Sequence, residues 1–295
     1  MATGETLSTT LSGALPSIIA DARIVREFDG VWQRTCDMKK LKKGTGLNWQ
    51  EFTLQQIDAQ DIAETTRMEN AQQYAGVLLS STPQMTQIMI KITDRTYEKV
   101  ASVVTSKFGS LAGNAMRRKK DEDYLSLFST FATTASPGTG APLSFGHITA
   151  AVANSDSNVT EGADTEHYAV LHGFQIKDIQ DEILQGVGTY TVPEGMTAEV
   201  FRKGFRGSIA GASVFEDNNI TITSTPDAFG AVHAKQGVVA VAGASIKTET
   251  RRDPSYGGGA DEIFMTDDYS FVERTSAGTQ TWAYLIRSDA TAPSS

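Results

Sequence analysis

Four histidines are the side chains of this sequence best suited to bind a metal ion or to act as a general base: His147, His167, His172 and His233. No two of them are four residues apart, the spacing at which one helix face presents two imidazoles to a zinc ion. His167 and His172 lie five residues apart across a predicted strand, so their side chains should point to opposite faces. We therefore predict a structural role for each histidine.

Nucleophiles and phosphate-binding loops are equally sparse. Cys36 is the single cysteine, which excludes an intramolecular disulfide, and we interpret it as a small buried apolar residue. The alternative, a catalytic thiol, needs a histidine that folding brings close. Ser213 and Ser245 lack the second glycine of a nucleophile elbow and are predicted to be strand residues. Gly257–Gly259 does not separate a strand from a helix, as a dinucleotide loop does, and is predicted to be a flexible turn.

Charged residues cluster in four places. Asp121–Asp123 and Asp267–Asp268 could supply an acid and a base or a metal site, but a helix start and an exposed hairpin are the favoured interpretations. Two basic runs, 39–43 and 117–120, hold eight of the 26 basic residues. They could face a packaged polyanion, although a solvated surface is the simpler expectation. The sequence thus predicts a non-enzymatic protein without catalytic, cofactor-binding or metal-binding residues.

Length and composition indicate a folded, acidic protein. The chain has 295 residues, of which 40% are hydrophobic and 21% charged, and its formal net charge is -9. This length suggests one elaborated domain or two connected ones. The charge disfavours a dedicated nucleic-acid binder, because affinity for a duplex comes from surplus lysine and arginine. No apolar run reaches the roughly 18 residues of a membrane helix, and the start lacks the basic residues of a secretory signal, so we expect a soluble protein made in a cytosol.

The N-terminal third predicts an arm followed by a protruding hairpin. Residues 1–43 are weakly patterned with scattered apolar anchors such as Trp32, which favours an arm that packs on another molecule over an ordinary N-terminal helix. A strand is predicted from Leu47 to Ile57, and a second one has a clean alternation with Ile88, Ile90 and Ile92 on one side. Residues 55–75 between them are too polar to form a core, so the two strands should flank a long polar excursion.

The strongest single pattern begins at Asp94. Apolar residues follow at spacings of three and four through Met116, which predicts a long helix capped by Thr93 or Asp94. Arg117–Lys120 should end this helix and Asp121 should begin another, because cations suit a helix end and acids a helix start.

A turn-rich break at 135–140 is the best candidate for a domain boundary. The short mixed elements after it indicate an α+β unit. Its predicted elements are a helix capped by Ser144, a helix from Gln175 to Gln185, and strands at Tyr168–His172, Ile209–Phe215, Ile220–Thr223 and Val238–Ala242. The last third predicts strands at Ile246–Arg251, Glu262–Arg274 and Gln280–Arg287, with residues 276–278 as the turn of a long hairpin between the last two.

The order of these elements resembles the major capsid proteins of tailed bacteriophages, whose Hong Kong 97-type fold is shared with encapsulins. Three segments carry the resemblance locally: Tyr168–Gln175 with Asp178 and Ile179, Gly211–Phe215 with Asp217–Ile220, and Ala231–Val238. The resemblance implies an α+β fold with an N-terminal arm, an extended β-hairpin loop, a long spine helix in a peripheral domain, and an α+β axial domain.

Carried over by segment, the resemblance implies an arm at 1–43, an extended loop at 44–93, a peripheral domain at 94–140 and 245–295, and an axial domain at 141–244. The implied function is structural: pentamers and hexamers that assemble into an icosahedral phage head around double-stranded DNA. The implied partners are further copies of the chain, a separate scaffolding protein, a portal, a decoration protein and non-specifically contacted DNA, with no membrane. The implied location is the virion, assembled in the host bacterial cytoplasm.

Two departures refine this expectation. Some members of the family link neighbouring subunits through an isopeptide bond between an extended-loop lysine and a peripheral-domain asparagine, but residues 44–90 contain no lysine and residues 245–295 no asparagine. A non-covalent shell is therefore expected. Only about 40 residues precede the loop, which favours a separate scaffolding protein over a built-in one. The alternatives are an encapsulin-like compartment shell and an unrecognised soluble enzyme.

Overall fold

The structure is a computed structural model of the chain. It describes residues 30–99 with gaps at 45, 55, 58, 60, 66 and 68–75, and residues 108–158, 161–186, 207–275 and 281–293. Within these ranges, helices surround two sheets and a separate two-stranded hairpin. No helix in this part of the chain has the length and apolar character needed to cross a membrane.

The strands are, in chain order, β1 (Asp37–Lys40), β2 (Trp49–Leu54), β3 (Gly76–Ser81), β4 (Gln84–Thr93), β5 (Thr133–Thr134), β6 (His167–Leu171), β7 (Ser208–Ile209), β8 (Ala212–Glu216), β9 (Asp227–Ala234), β10 (Val238–Ala242), β11 (Lys247–Asp253), β12 (Ala260–Glu273) and β13 (Ala283–Asp289). The helices are α1 (Trp32–Thr35), α2 (Asp94–Lys99), α3 (Phe108–Phe128), α4 (Phe145–Asp156) and α5 (Gly173–Gly186). The predicted strands β6 and β10 and the Ser144-capped helix α4 are confirmed.

The five-stranded sheet is organised around β12. On one edge β12 pairs antiparallel with β4. On its other edge the first half of β12 pairs antiparallel with β11 and the last residues with β10, and β1 pairs in parallel with the far edge of β10. Side chains alternate across a strand, and α3 covers the face that carries Asp267 and Tyr269. The opposite face, with Phe264 and its partner Met89, is not covered by α3.

The six-stranded sheet has the order β5-β13-β9-β6-β8-β7 and is buried on both faces. Ala169 and Leu171 of β6 pack with α4 and α5, whereas Val170 packs with α3. Every residue of β6 is therefore buried, which explains its continuous apolar run in place of an alternating one. The two clusters on either side of this sheet form the core of the described chain.

The basic run at 117–120 was predicted to end a helix, and this prediction is wrong. The run lies in the middle of α3. Its cations are matched by acids one turn later, in Arg118–Glu122 and Lys119–Asp123 pairs. Oppositely charged residues four apart stabilise a single helix, so the same charge pattern fits a continuous helix. The predicted stretch from 100 to 107 lies outside the described residues.

The hairpin has a different second strand from the predicted one. β2 pairs antiparallel with β3, a strand that the sequence did not predict, with Trp49 opposite Ser81. The predicted partner, β4, instead belongs to the five-stranded sheet. The predicted polar excursion at 55–75 is the segment that joins β2 to β3, and more than half of it lies outside the described residues.

The pairing of the late strands differs from the prediction. β12 and β13 do not form a long hairpin, since β13 pairs with β9 and β5 in the six-stranded sheet. Conversely, β10 joins the five-stranded sheet although it follows β9 directly. Ile220–Thr223 is not a strand and contributes only an isolated bridge from Ile222 to Ala228.

The described end of the N-terminal arm packs on this chain. Trp32 is buried against Phe271, with ring centroids 5.7 Å apart, and lies in the same core cluster as Cys36 and Tyr124. β1 then completes the five-stranded sheet. The predicted arm up to residue 29 lies outside the described residues.

Candidate functional site

His233 is part of a buried hydrogen-bond chain. Its Nδ1 lies 3.0 Å from the carbonyl oxygen of Ala234, which can only accept, so Nδ1 carries the proton. Its Nε2 then accepts from the Tyr124 hydroxyl at 2.7 Å, and Tyr124 accepts from Thr35 at 2.8 Å. Burial lowers the pKa of His233 to about 4. His233 is thus a neutral imidazole with both ring nitrogens hydrogen-bonded inside the core.

The other three histidines also have local structural partners. His147 forms a capping box with Ser144, its Nδ1 lying 2.7 Å from the serine Oγ. His167 lies 3.1 Å from Ser155 Oγ, and His172 accepts the backbone N–H of Phe174. Burial lowers the pKa of both His167 and His172. The structure does not gather these histidines into one site.

The candidate nucleophiles Cys36, Ser213 and Ser245 lie in separate parts of the fold. Cys36 is fully buried, as predicted, and burial raises the pKa of its thiol far above the usual range. Ser213 lies in β8, as predicted, whereas Ser245 lies in the loop before β11. Gly257–Gly259 forms part of the predicted turn, between β11 and β12. Among the described residues, no group of three histidine, cysteine or acidic side chains could hold a metal ion.

The two acidic clusters are partly buried, which corrects the prediction of a helix start and an exposed hairpin. Asp121 is buried in the middle of α3, where it meets a second buried acid, Asp217. Asp267 is 3% exposed and pairs with Lys120, whose ammonium also lies 5.0 Å from the Tyr269 ring. The basic run 117–120 is thus largely matched by acids of this chain.

Sequence reasoning could have found the burial of Asp121 but not its partner. Tyr124, Leu125 and Phe128 follow it at three, four and seven residues, so all four share the buried face of α3. An acid on such a face is a sign of a buried polar contact. Asp217, distant in sequence, gives no comparable sign.

Apolar side chains line one face of the β2–β3 hairpin. Phe52, Leu54 and Leu78 are 59%, 49% and 55% exposed, so no described residue covers this face. Phe52 lies directly opposite Leu78, and its ring lies against Gly76, where a Cβ would overlap it. An isolated two-stranded hairpin is only marginally stable in water. An apolar face on such an element indicates an interaction surface.

Arg274 ties the root of this hairpin to the five-stranded sheet. Its Nη2 lies 2.8 Å from Glu51 Oε2 on β2 and 3.0 Å from Asp37 Oδ2 on β1. Burial opposes ionisation of Asp37, but Lys39 and Arg274 outweigh it and lower the Asp37 pKa. The charged bridge thus connects β2 of the hairpin to β1 of the five-stranded sheet.

A basic groove of about 540 Å³ opens beside the hairpin root. Lysines 40, 42, 43 and 247 line it, together with Asp268 and the backbone of Gly243. Four cations against one carboxylate give the groove a positive potential despite the acidic net charge of the chain. These lysines include three from the first basic run singled out in the sequence.

No protein-family model and no curated protein matches the chain. Solved structures do. A chain from the capsid structure of cyanophage P-SCSP1u has a TM-score of 0.70 and 10% identity, over 95% of this chain and 94% of that one. A chain from the cyanophage Pam1 capsid has a TM-score of 0.74 and 8% identity, over 92% and 95%. A chain from Mycobacterium phage Che8 has a TM-score of 0.69 and 15% identity, over 92% and 96%.

The chain has the Hong Kong 97-type capsid fold. The similarity spans nearly the full length of both partners, so it covers the order of all elements and not one shared motif. The predicted fold class is thereby confirmed. At these low identities the shared property is the fold, and this places the exposed hairpin and the basic groove on a capsid-type framework.

Proposed function

We propose that this chain is the major capsid protein of a tailed phage, with a structural and non-enzymatic role. Its pentamers and hexamers would form an icosahedral head around double-stranded DNA, assembled in the host bacterial cytoplasm. The observation that carries the proposal is the capsid fold over nearly the whole chain. The uncovered apolar hairpin face supports it, because a surface of this kind becomes stable when a neighbouring subunit covers it.

The proposed division of labour follows the segments expected from the sequence. The arm (1–43) and the extended loop (44–93) would make contacts between subunits, while 94–140 with 245–295 and 141–244 would form the peripheral and axial domains. Sheet membership suggests one adjustment: β10 would belong with the peripheral strands and β13 with the axial ones. Many weak contacts per subunit then give a stable closed shell.

Assembly is tested by electron microscopy of the purified chain, expressed with and without a scaffolding protein from its own phage. Closed shells, or rings of five and six subunits, are expected. Phe52→Ser with Leu78→Ser should abolish them, while the stability of the dispersed chain changes by about 0.5 kcal/mol or less, as for most surface substitutions. Ile246→Ser, at a side chain 55% exposed outside the hairpin, is the matched control and should assemble. Normal shells from the double variant would contradict the role of the hairpin.

The shell is proposed to be non-covalent, because the lysine and asparagine of the family's linked members are missing from the corresponding segments. Particles dissolved in hot detergent should run as a single 31.7 kDa band. A ladder of linked subunits would contradict this.

Packaged DNA is proposed to meet the basic groove, with a portal and a decoration protein as further partners. Lys40→Gln with Lys43→Gln should lower duplex affinity and reduce the slope of log K against log salt by about 0.9 for each phosphate that the variant no longer neutralises. Lys119→Gln, where the lysine already pairs with Asp123, is the matched control and should leave the slope unchanged. An unchanged slope in the double variant would remove the groove as the DNA-binding surface.

A further inference from the structure

Two buried carboxyl groups meet where the N-terminal segment crosses α3. Asp121 of α3 is 0% exposed and Asp217, in the turn after β8, is 1% exposed. Both acids accept from the same residue, Asn219, and their carboxyl groups lie close enough to each other to share a proton. Gly30 lies so close to the Asp121 carboxyl group that a side chain at position 30 would overlap it. Three separate segments of the chain therefore converge on one acid pair.

The surroundings of the pair supply hydrogen-bond donors but no cation. The backbone N–H of Val31 donates to the pair, and Asn219 donates its Nδ2 to Asp121 Oδ2 at 2.8 Å and its backbone N–H to Asp217 Oδ1 at 2.9 Å. Neither acid has an ion-pair partner within the described residues. Asp121 Oδ1 and Asp217 Oδ2 remain without a donor.

One shared proton would satisfy both of these oxygens. Two ionised carboxylates in contact and out of water would repel each other strongly, whereas a proton between the two unpaired oxygens gives one further hydrogen bond. The neighbouring groups present N–H donors, which bind carboxylate oxygens and do not coordinate a metal ion. Burial, together with the nearby Asp121, raises the pKa of Asp217 to about 8, and burial also raises the pKa of Asp121.

We propose that Asp121 and Asp217 share one proton and act as a pH-dependent latch that holds residues 30–36 against α3. While the proton is bound, the backbone of Gly30 and Val31 packs on the pair. When the pair loses its proton, the repulsion and desolvation of two carboxylates drive the segment off α3 and let water reach them. Residues 30–36 belong to the segment proposed above to make contacts between subunits (1–43), so opening of the latch would alter those contacts. The consequence for shell contacts rests on the proposed function, but the latch itself belongs to the single chain.

Other titratable groups near the pair do not explain such a response. Burial raises the pKa of Cys36 and of Tyr124 well above this range, and the guanidinium group of Arg117 lies one turn before Asp121 on α3. His233, bonded to Tyr124, is neutral because burial lowers its pKa to about 4. Glu273 of β12 is the group to control for, since burial raises its pKa to about 7.

The latch is tested by hydrogen exchange of the purified full-length chain from about pH 6 to about pH 9, with mass spectrometry of peptides that cover residues 30–43. A raised folded-state pKa means that the latched state binds the extra proton, so its stability is complete at low pH and is lost as pH rises through that pKa. After correction for intrinsic exchange, the protection factor should fall as pH rises, approaching tenfold per pH unit for one proton.

The variant Asp217→Asn tests whether the acid pair causes the pH dependence of the protection factor. Its amide group can donate to Asp121 Oδ1 as the shared proton does, but it cannot titrate, so the protection factor should be independent of pH. Asp121→Asn should do the same and serves if the first variant does not fold. Glu216→Gln, the same change one residue earlier, should keep the parent profile, and Glu273 is unchanged in every variant.

The proposal fails if the parent protection factor is flat across this range, or if both amide variants retain the fall. If neither variant folds, infrared spectroscopy of the parent chain decides: a protonated-carboxyl band that persists to about pH 7 and disappears by about pH 9 supports the latch, and its absence at about pH 6 refutes it. None of these results depends on shell formation, so they are separable from the test of the capsid role.

Discussion

Replacing Tyr124 by phenylalanine removes one oxygen from a fully buried hydrogen-bond chain that also includes Thr35 and His233. The Tyr124 hydroxyl accepts from Thr35 at 2.8 Å and donates to His233 Nε2 at 2.7 Å. The ring stays in place, with its edge contact to Phe128 at 4.8 Å between centroids. Packing is therefore preserved and only the hydrogen bonds change.

The cost follows from what the two former partners can still do. Thr35 retains the carbonyl oxygen of Val31 at 3.4 Å as an acceptor, whereas His233 Nε2, which is fully buried, loses its donor. A buried polar group left without a partner costs about 1 to 3 kcal/mol, so we expect Tyr124→Phe to lower the free energy of unfolding by about 2 kcal/mol. With an unfolding entropy of about 2.1 cal/mol/K per residue, this corresponds to a decrease in melting temperature of about 3 °C.

The assay is urea and thermal unfolding of the dispersed chain, followed by circular dichroism. Tyr168→Phe is the matched control: its hydroxyl donates at 2.7 Å to Glu166, an exposed acid that water can satisfy, so the decrease in unfolding free energy should stay within about 0.5 kcal/mol. Equal decreases in the two variants, or no decrease in Tyr124→Phe, would refute the reasoning that burial of the histidine acceptor sets the cost.

Three further predictions concern stability. Lys120→Met should cost about 3 to 5 kcal/mol in urea unfolding, because Asp267 is left buried and unpaired, and adding Asp267→Asn should recover part of that stability. Ala210→Asn should increase the free energy of unfolding by about 0.5 to 1 kcal/mol and so raise the melting temperature. Ala210 and Gly211 form the two-residue turn between β7 and β8, and Ala210 has φ 49°, a conformation that asparagine adopts more readily than alanine. Between about pH 6.5 and about pH 4 His233 should contribute a loss of unfolding free energy as pH falls, because the unfolded chain takes up the proton that the buried imidazole resists. Asp217 and Glu273, whose pKa values are raised, contribute in the opposite direction, so the measurement is the comparison of two acid titrations: the slope of unfolding free energy against pH should differ by one proton between the parent and His233→Gln.

Local patterns in the sequence determined much of the fold. The alternation of Ile88, Ile90 and Ile92 predicted β4, and the continuous apolar run after His167 predicted β6. Turn residues marked the break at 135–140, and the order of the elements was enough to predict the capsid fold that structural similarity confirms. These features depend on residues close together in the chain, where side-chain period and turn chemistry act directly.

Pairings between distant segments were decided only by the tertiary structure. A strand has two edges and its alternation is the same on either, so the sequence could not tell that β2 pairs with β3, or that β13 leaves β12 for β9. The charge pattern of 117–120 likewise fits two helices or one, and the choice of one long helix was settled by packing against both sheets. Asp121 and Asp217 illustrate the same limit: the sequence placed one acid on an apolar helix face, but only folding brought the second acid, and the Gly30 backbone, into contact with it.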